Sequence, residues 1–221
     1  MRLAARLALL FGLWFASFIP ANAQYGGQGG TPGSFDFYVL SLSWSPGWCT
    51  VQGDNKGSEQ CRPGTGYGFV LHGLWPQYDR DFPSNCSAVD RSPTRAAMDI
   101  ATKIYPEQGL ARYEWRKHGT CSGLDPRAYF QAAETAKEKV VVPEAFKAPT
   151  ADQTTSSIDV MRAFNAANPG LRPGMIAVTC SRGLLEEVRV CLSKDLRDFV
   201  PCPEVSRKAC RSRSLTVPAV R

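Results

Sequence analysis

The chain has only two histidines, and each stands in a dense run of residues able to do chemistry. The second run is Tyr113-Glu114-Trp115-Arg116-Lys117-His118-Gly119-Thr120-Cys121. Glu114, Lys117 and His118 stand at i, i+3 and i+4, so a helix presents an acid, a fixed cation and an imidazole on one face. Phosphoryl transfer needs that set: a group to move a proton, and charge for the equatorial oxygens. Taken alone, the same spacing also describes an ordinary solvated helix with an ion pair of a few tenths of a kcal/mol. The first run is Gly68-Phe69-Val70-Leu71-His72-Gly73-Leu74-Trp75-Pro76-Gln77. His72 follows an apolar stretch and precedes glycine, which predicts a histidine emerging at a strand end with room for close approach. Trp75 could stack on a nucleobase, at about 1–3 kcal/mol per base, or could be a core tryptophan beside a buried histidine.

Two such histidines suffice for one reaction. Cleaving RNA through its own 2′-OH takes one base for that hydroxyl and one acid for the departing 5′-oxygen. A neutral and a protonated imidazole can do both near their ordinary pKa of about 6.5. The nucleophile belongs to the substrate, so no serine, cysteine, cofactor or metal is called for. DNA lacks the hydroxyl and is not expected to be cut. A catalytically silent RNA-binding module and a metal-dependent hydrolase are the competing readings; two histidines make a poor ligand set for the latter.

The elements that must position these residues are legible in part. Phe35 to Trp44 alternates, with Tyr38, Leu40, Leu42 and Trp44 on one side, and reads as a strand. Tyr67 to Leu71 starts a second. Ser92-Pro93 reads as an N-cap and first helical position, ahead of a stripe from Ala97 to Tyr105. Further helices are expected over Ala111 to His118, from Asp125-Pro126 towards Val140, and over Ser157 to Ala167. Met175 to Thr179 and Val188 to Leu192 read as strands, with Glu186, Glu187 and Arg189 as exposed positions. Helices and strands mix without a βαβ alternation, which makes the class α+β.

The ends read differently. Met1 to Arg6 carries two arginines, Leu7 to Ile19 is almost wholly apolar, and small residues follow to Ala23. This predicts a signal peptide over 1–23 and a secreted or periplasmic protein with no membrane anchor after its removal. The remaining 198 residues carry 24 basic and 20 acidic side chains, a net charge of +4. Such a balance suits a polyanion without demanding one. Residues 24–34 are glycine-rich and expected to be a flexible leader, residues 35–210 a single catalytic domain. Residues 211–221 are expected to be a basic, solvated tail. All eight cysteines fall after the leader, without a C-x-x-C pair, so four disulfides are expected rather than zinc.

His72-Gly73-Leu74-Trp75-Pro76 and Glu114-Trp115-Arg116-Lys117-His118-Gly119-Thr120-Cys121, with Ser43-Trp44-Ser45-Pro46 before them, resemble the signature segments of the ribonuclease T2 family of secreted acid ribonucleases. The resemblance spans about residues 35–210. It implies an α+β fold with a central antiparallel sheet and several helices, acting as a monomer on single-stranded RNA. It further implies His118 as general base and His72 as general acid, with Glu114 and Lys117 stabilising the pentacoordinate phosphate. A 2′,3′-cyclic phosphate is the first product, hydrolysed afterwards to a 3′-phosphate. Trp75 and Gln77 would contribute to base binding; Tyr113 stands where some members carry a third histidine, and either supplies a phosphate hydrogen bond or leaves that contact missing. Gln77 replaces an aspartate of some members, so base preference does not carry over. Family pairing implies Cys86–Cys121, Cys180–Cys210 and Cys191–Cys202, which leaves Cys49–Cys61.

Overall fold

The computed structural model describes residues 29–87 and 92–221; the expected signal peptide lies outside the described residues. Strand β1 (Phe37–Trp44) pairs antiparallel on one side with β2 (Phe69–Gln77) and on the other with β5 (Leu184–Ser193). Strand β4 (Ile176–Ser181) forms a hairpin with β5, and β3 (Gln153–Thr155) pairs with β6 (Leu215–Val217). The sheet is antiparallel except where β5 meets β6, at Leu184 and Thr216. Its order is β2-β1-β5-β6-β3. The α+β class and the central sheet with several helices are as expected.

Alternation along β1 gives the sheet two unlike faces. The short helix α1 (Ser45–Trp48) follows the strand, whose Tyr38, Leu40, Leu42 and Trp44 enter the main core, against helices α2 (Arg95–Ile104), α3 (Gln108–Lys117), α4 (Pro126–Lys139) and α5 (Ser157–Ala167). Phe37 and Val39 face the other way, into a small cluster with Cys191, Cys202 and Trp75. Stability rests on the first face: Trp44, Trp115, Tyr129, Phe130 and Phe164 are all fully buried, at about 1.5–3 kcal/mol for each large apolar side chain. The second face is thinly covered, which leaves it free to carry a site.

Several expectations need correction. His72 does not end a strand: β2 runs on to Gln77, and the register steps from Ser41↔Gly73 to Leu42↔Leu71. His72 is therefore the extra residue of a β-bulge, a device that bends the strand and re-aims a side chain. The N-cap of α2 is Thr94, whose side chain accepts from the Ala97 amide at 3.2 Å, not Ser92. Of the glycine-rich leader, the described part is held down: Gly29 bonds Ser84, the Gly33 amide donates to the Cys121 carbonyl, and Lys194 donates to the Gly33 carbonyl at 2.6 Å. Nor is the C-terminal tail solvated and frayed. Leu215 and Val217 are buried in β6, and the Arg221 guanidinium holds both Asp54 oxygens, at 2.6 and 2.9 Å. Burying two aliphatic side chains outweighs the charge that makes the segment look like a tail.

All four disulfides form in the expected pairs, Cys49–Cys61, Cys86–Cys121, Cys180–Cys210 and Cys191–Cys202. Two of them frame the site. Cys86–Cys121 ties the segment after β2 to the end of α3, and Cys191–Cys202 ties β5 to the short helix α6 (Pro203–Arg207).

Candidate active site

A cavity of about 350 Å³ opens on the thinly covered face of the sheet. His72, Trp75, Glu114, Lys117 and His118 all line it, together with Gln77 and Tyr113. Strand β2 supplies the first two from its bulged half. Helix α3 supplies the acid and the lysine from its last turn and ends at His118, whose amide still donates to the Glu114 carbonyl at 2.9 Å. Gly119 follows, where no larger residue fits: a Cβ would stand 2.4 Å from the Trp115 ring. The loop after β2 is fastened to the same turn by Asn85 N donating to the Lys117 carbonyl at 2.8 Å, and by Cys86 N donating to Thr120 Oγ1 at 3.2 Å. The helix face read from the sequence is thus built, with Glu114 and His118 buried and Lys117 half-buried.

Trp75 stands between the two histidines. Its ring centroid is 5.2 Å from His72 and 5.3 Å from His118. Its Nε1 donates to Glu114 Oε2 at 2.7 Å, and the Arg189 guanidinium lies 5.1 Å from its ring. The indole is therefore engaged on several sides by the site itself. Gln77 donates only to the Pro76 carbonyl at 3.0 Å, and Tyr113 is exposed beside the Lys117 ammonium, 5.4 Å from its ring. Tyr78, Asp81, Phe82, Glu204, Val205 and Lys208 complete the lining.

The two histidines sit in opposite fields. Burial works against charge on His72, but the hydrogen bond and charge of Glu187, with the charge of Glu114, outweigh it and hold the imidazole above its ordinary value. Glu114 Oε1 lies 3.7 Å from His72 Nε2. His118 is pushed down to about 3, first by burial and then by the Lys117 and His72 charges. Burial lifts Glu114 to about 7, against His72, the Trp75 N–H and Lys117. Among the described residues, Glu114 Oε1 and His118 Nδ1 are buried without a hydrogen-bond partner. Such unspent capacity is rare in a core and common at a site that awaits a polar ligand.

Glu187 is not the exposed strand position that alternation predicts. It is buried, hydrogen-bonds His72 Nδ1, accepts from Ser43 Oγ at 3.3 Å, and pairs with Arg189 at 2.7 Å. The register between β4 and β5 steps from Thr179↔Glu187 to Cys180↔Leu185, which makes Glu186 the extra residue of a second bulge. Alternation through Val188, Val190 and Leu192 puts Glu187 on the right face; it does not show that His72, Ser43 and Arg189 cover it there. The only sequence signal is the bare presence of an acid and an arginine two residues apart in an apolar strand.

Comparison with known proteins agrees with this geometry. Residues 35–202 match the family model described as the Ribonuclease T2 family. A ribonuclease of Aeromonas hydrophila is 34% identical over 220 residues, covering 94% of this chain and 91% of its own length. An RNase-related protein from Calystegia sepium superposes with a TM-score of 0.66 at 22% identity, over 85% of this chain and 98% of the other. RNase NT, solved with 5′-AMP, superposes at 0.55 with 25% identity, over 82% of this chain and 97% of that one. With both histidines in one cavity and the match spanning nearly the whole described domain, the chain belongs to the ribonuclease T2 family.

Proposed function

We propose that this protein is an endoribonuclease that cuts single-stranded RNA by transphosphorylation through the 2′-OH. His118, buried and neutral, takes the hydroxyl proton; His72, protonated beside two carboxylates, delivers a proton to the departing 5′-oxygen. Lys117 supplies a fixed charge to the equatorial phosphate oxygens. Glu114, lifted to about 7 by burial, is protonated in acid and then donates to one of those oxygens instead of repelling it. The cyclic phosphate is opened by water with the two histidines exchanging roles. The observation that carries this reading is the pair of histidines flanking one indole in opposite fields, His72 against carboxylates and His118 beside a lysine.

Trp75 holds Glu114 and spaces the histidines, and Gln77 and Tyr113 border the substrate path. Tyr78 and Phe82 offer ring faces to a base, at about 1–3 kcal/mol per stacked base. A relative solved with 5′-AMP supports a nucleotide as the ligand class. Export behind a signal peptide over 1–23 is supported by the sequence there and by four disulfides, which persist in oxidising compartments. No helix among the described residues is long and apolar enough to cross a membrane. The enzyme acts as a monomer and spares DNA.

The reading fixes the pH profile. His118 must be neutral, which holds above about 3. Glu114 must be protonated, which holds below about 7. His72 must be protonated, which holds below its raised value. The rate should therefore stay high across the acid range, fall as pH rises through about 7, and fall again towards about 3. Initial rates on a defined oligonucleotide across this range test it; a rate still climbing above about pH 9, past the range of an imidazole acid, contradicts the assignment.

A further inference from the structure

At His72 Nδ1 lies a buried carboxylate with both oxygens engaged. Glu187 gives one oxygen to His72 Nδ1 and to Ser43 Oγ, and the other to Arg189 through Nε at 2.8 Å and Nη2 at 2.7 Å. Ser43 and Glu187 are register partners on β1 and β5, so the carboxylate is fixed by the sheet and not by a loop. The second bulge, at Glu186, turns Glu187 to the site face while Leu185 and Val188 on either side go to the core. Arg189 in turn covers Trp75, so one ion pair braces both His72 and the indole.

We propose that Glu187, anchored by Arg189, is a positioning residue for His72: it accepts a hydrogen bond from Nδ1–H, fixes one tautomer and ring orientation, and leaves Nε2 facing Glu114 and the cavity. This rests on the reading of His72 as the acid of the reaction. When Nε2 gives its proton to the leaving oxygen, the Nδ1 proton stays between ring and carboxylate, so the imidazole ends neutral and Glu187 ends charged. No proton passes to Glu187, because the His72 and Arg189 contacts overcome burial and hold it at about 2. The other groups around the ring are Glu114, Lys117 and His118 from α3, Arg189 from β5, and Glu107, which lines a small cavity with His72. Glu114 adds to the attraction, and Arg189 opposes it.

The chain's two histidines make the test clean, since nitrogen-15 histidine NMR of the whole protein gives two ring systems, and His72→Ala assigns them. Expected for the parent protein is a His72 that titrates above the ordinary imidazole value and carries its neutral-state proton on Nδ1. In Glu187→Gln, which keeps shape and loses charge, the His72 titration should fall by about one pH unit or more. The alkaline limb of kcat/KM, which Glu114 and His72 set together, should move to lower pH by up to that amount, with KM within about twofold. Glu187→Asp keeps the charge but withdraws it by one methylene, and should fall between the two; it serves if the glutamine variant does not fold. An unmoved His72 titration and alkaline limb, even with lower kcat or lower melting temperature, would make Glu187 a structural partner of Arg189 only and overturn the proposal. A fully active His72→Ala would instead overturn the reading of His72 as the acid, and the NMR readout keeps the two failures apart.

Discussion

His118→Ala should lower kcat/KM on single-stranded RNA by about 10²–10⁴-fold, the range of a single general acid or base, and His72→Ala by a similar factor. His118→Ala should leave stability nearly unchanged, whereas His72→Ala also strips buried Glu187 of one partner and should cost more, about 1–3 kcal/mol, without unfolding the protein. The His118 ring is buried with Nδ1 unpartnered, so its removal leaves no orphaned partner behind. For His118→Ala a melting shift within about 2–4 °C is expected, corresponding to about 1 kcal/mol for a chain of this size. The two variants should part company on a substrate whose leaving group needs no proton. On a nucleoside 3′-aryl phosphate, His72→Ala should recover most of its lost rate, because the phenolate departs unaided. His118→Ala should not recover, because the 2′-OH still has to be deprotonated. Equal rescue of both, or rescue of His118→Ala alone, contradicts the roles assigned to them.

Gly73→Ala should damage the site more than its single methyl suggests. A Cβ at this position would stand 2.1 Å from Glu114 Oε2 and 2.3 Å from Trp75 Nε1, the two atoms of the hydrogen bond that braces the cavity. Both side chains are held: Glu114 is buried, and the indole lies between two histidines and an arginine. One of them has to move. Overpacking costs about 1–3 kcal/mol, and a displacement of about 1 Å in a catalytic group costs on the order of 10²-fold in rate. Thermal unfolding and kcat/KM measured together check both halves. Near-normal activity would mean that the Glu114–Trp75 contact does not organise the reaction.

Much of this site is legible in the sequence, and the reasons for the rest are physical. β1 alternates cleanly, so its two faces can be assigned from Tyr38, Leu40, Leu42 and Trp44 alone. The Glu114–Lys117–His118 face comes from helical spacing, and the ordered motifs carry the family. Alternation cannot report a bulge. Both bulges sit where the chemistry is, at His72 and at Glu186, and each shifts the face of the residues after it. Glu187 is missed because its face, which alternation gives correctly, is covered by His72 and Arg189 from elsewhere in the sheet. Lys208 and Glu204 reach the cavity only because α6 is tied back to β5 by Cys191–Cys202, a long-range constraint that local pattern does not contain. The C-terminal strand escapes for another reason: three residues carry too little periodicity to outweigh the arginines around Leu215 and Val217.

The central claim is that the substrate's own 2′-OH is the nucleophile. The most direct measurement is digestion, in excess EDTA, of an RNA oligonucleotide and a copy carrying one 2′-deoxynucleotide at the main cut site, with fragment masses read out. The account predicts fragments ending in 2′,3′-cyclic phosphate and 5′-OH from the first, and an uncut linkage at the substituted position in the second. Cleavage across the 2′-deoxy linkage, or ends carrying a 5′-phosphate, would contradict it.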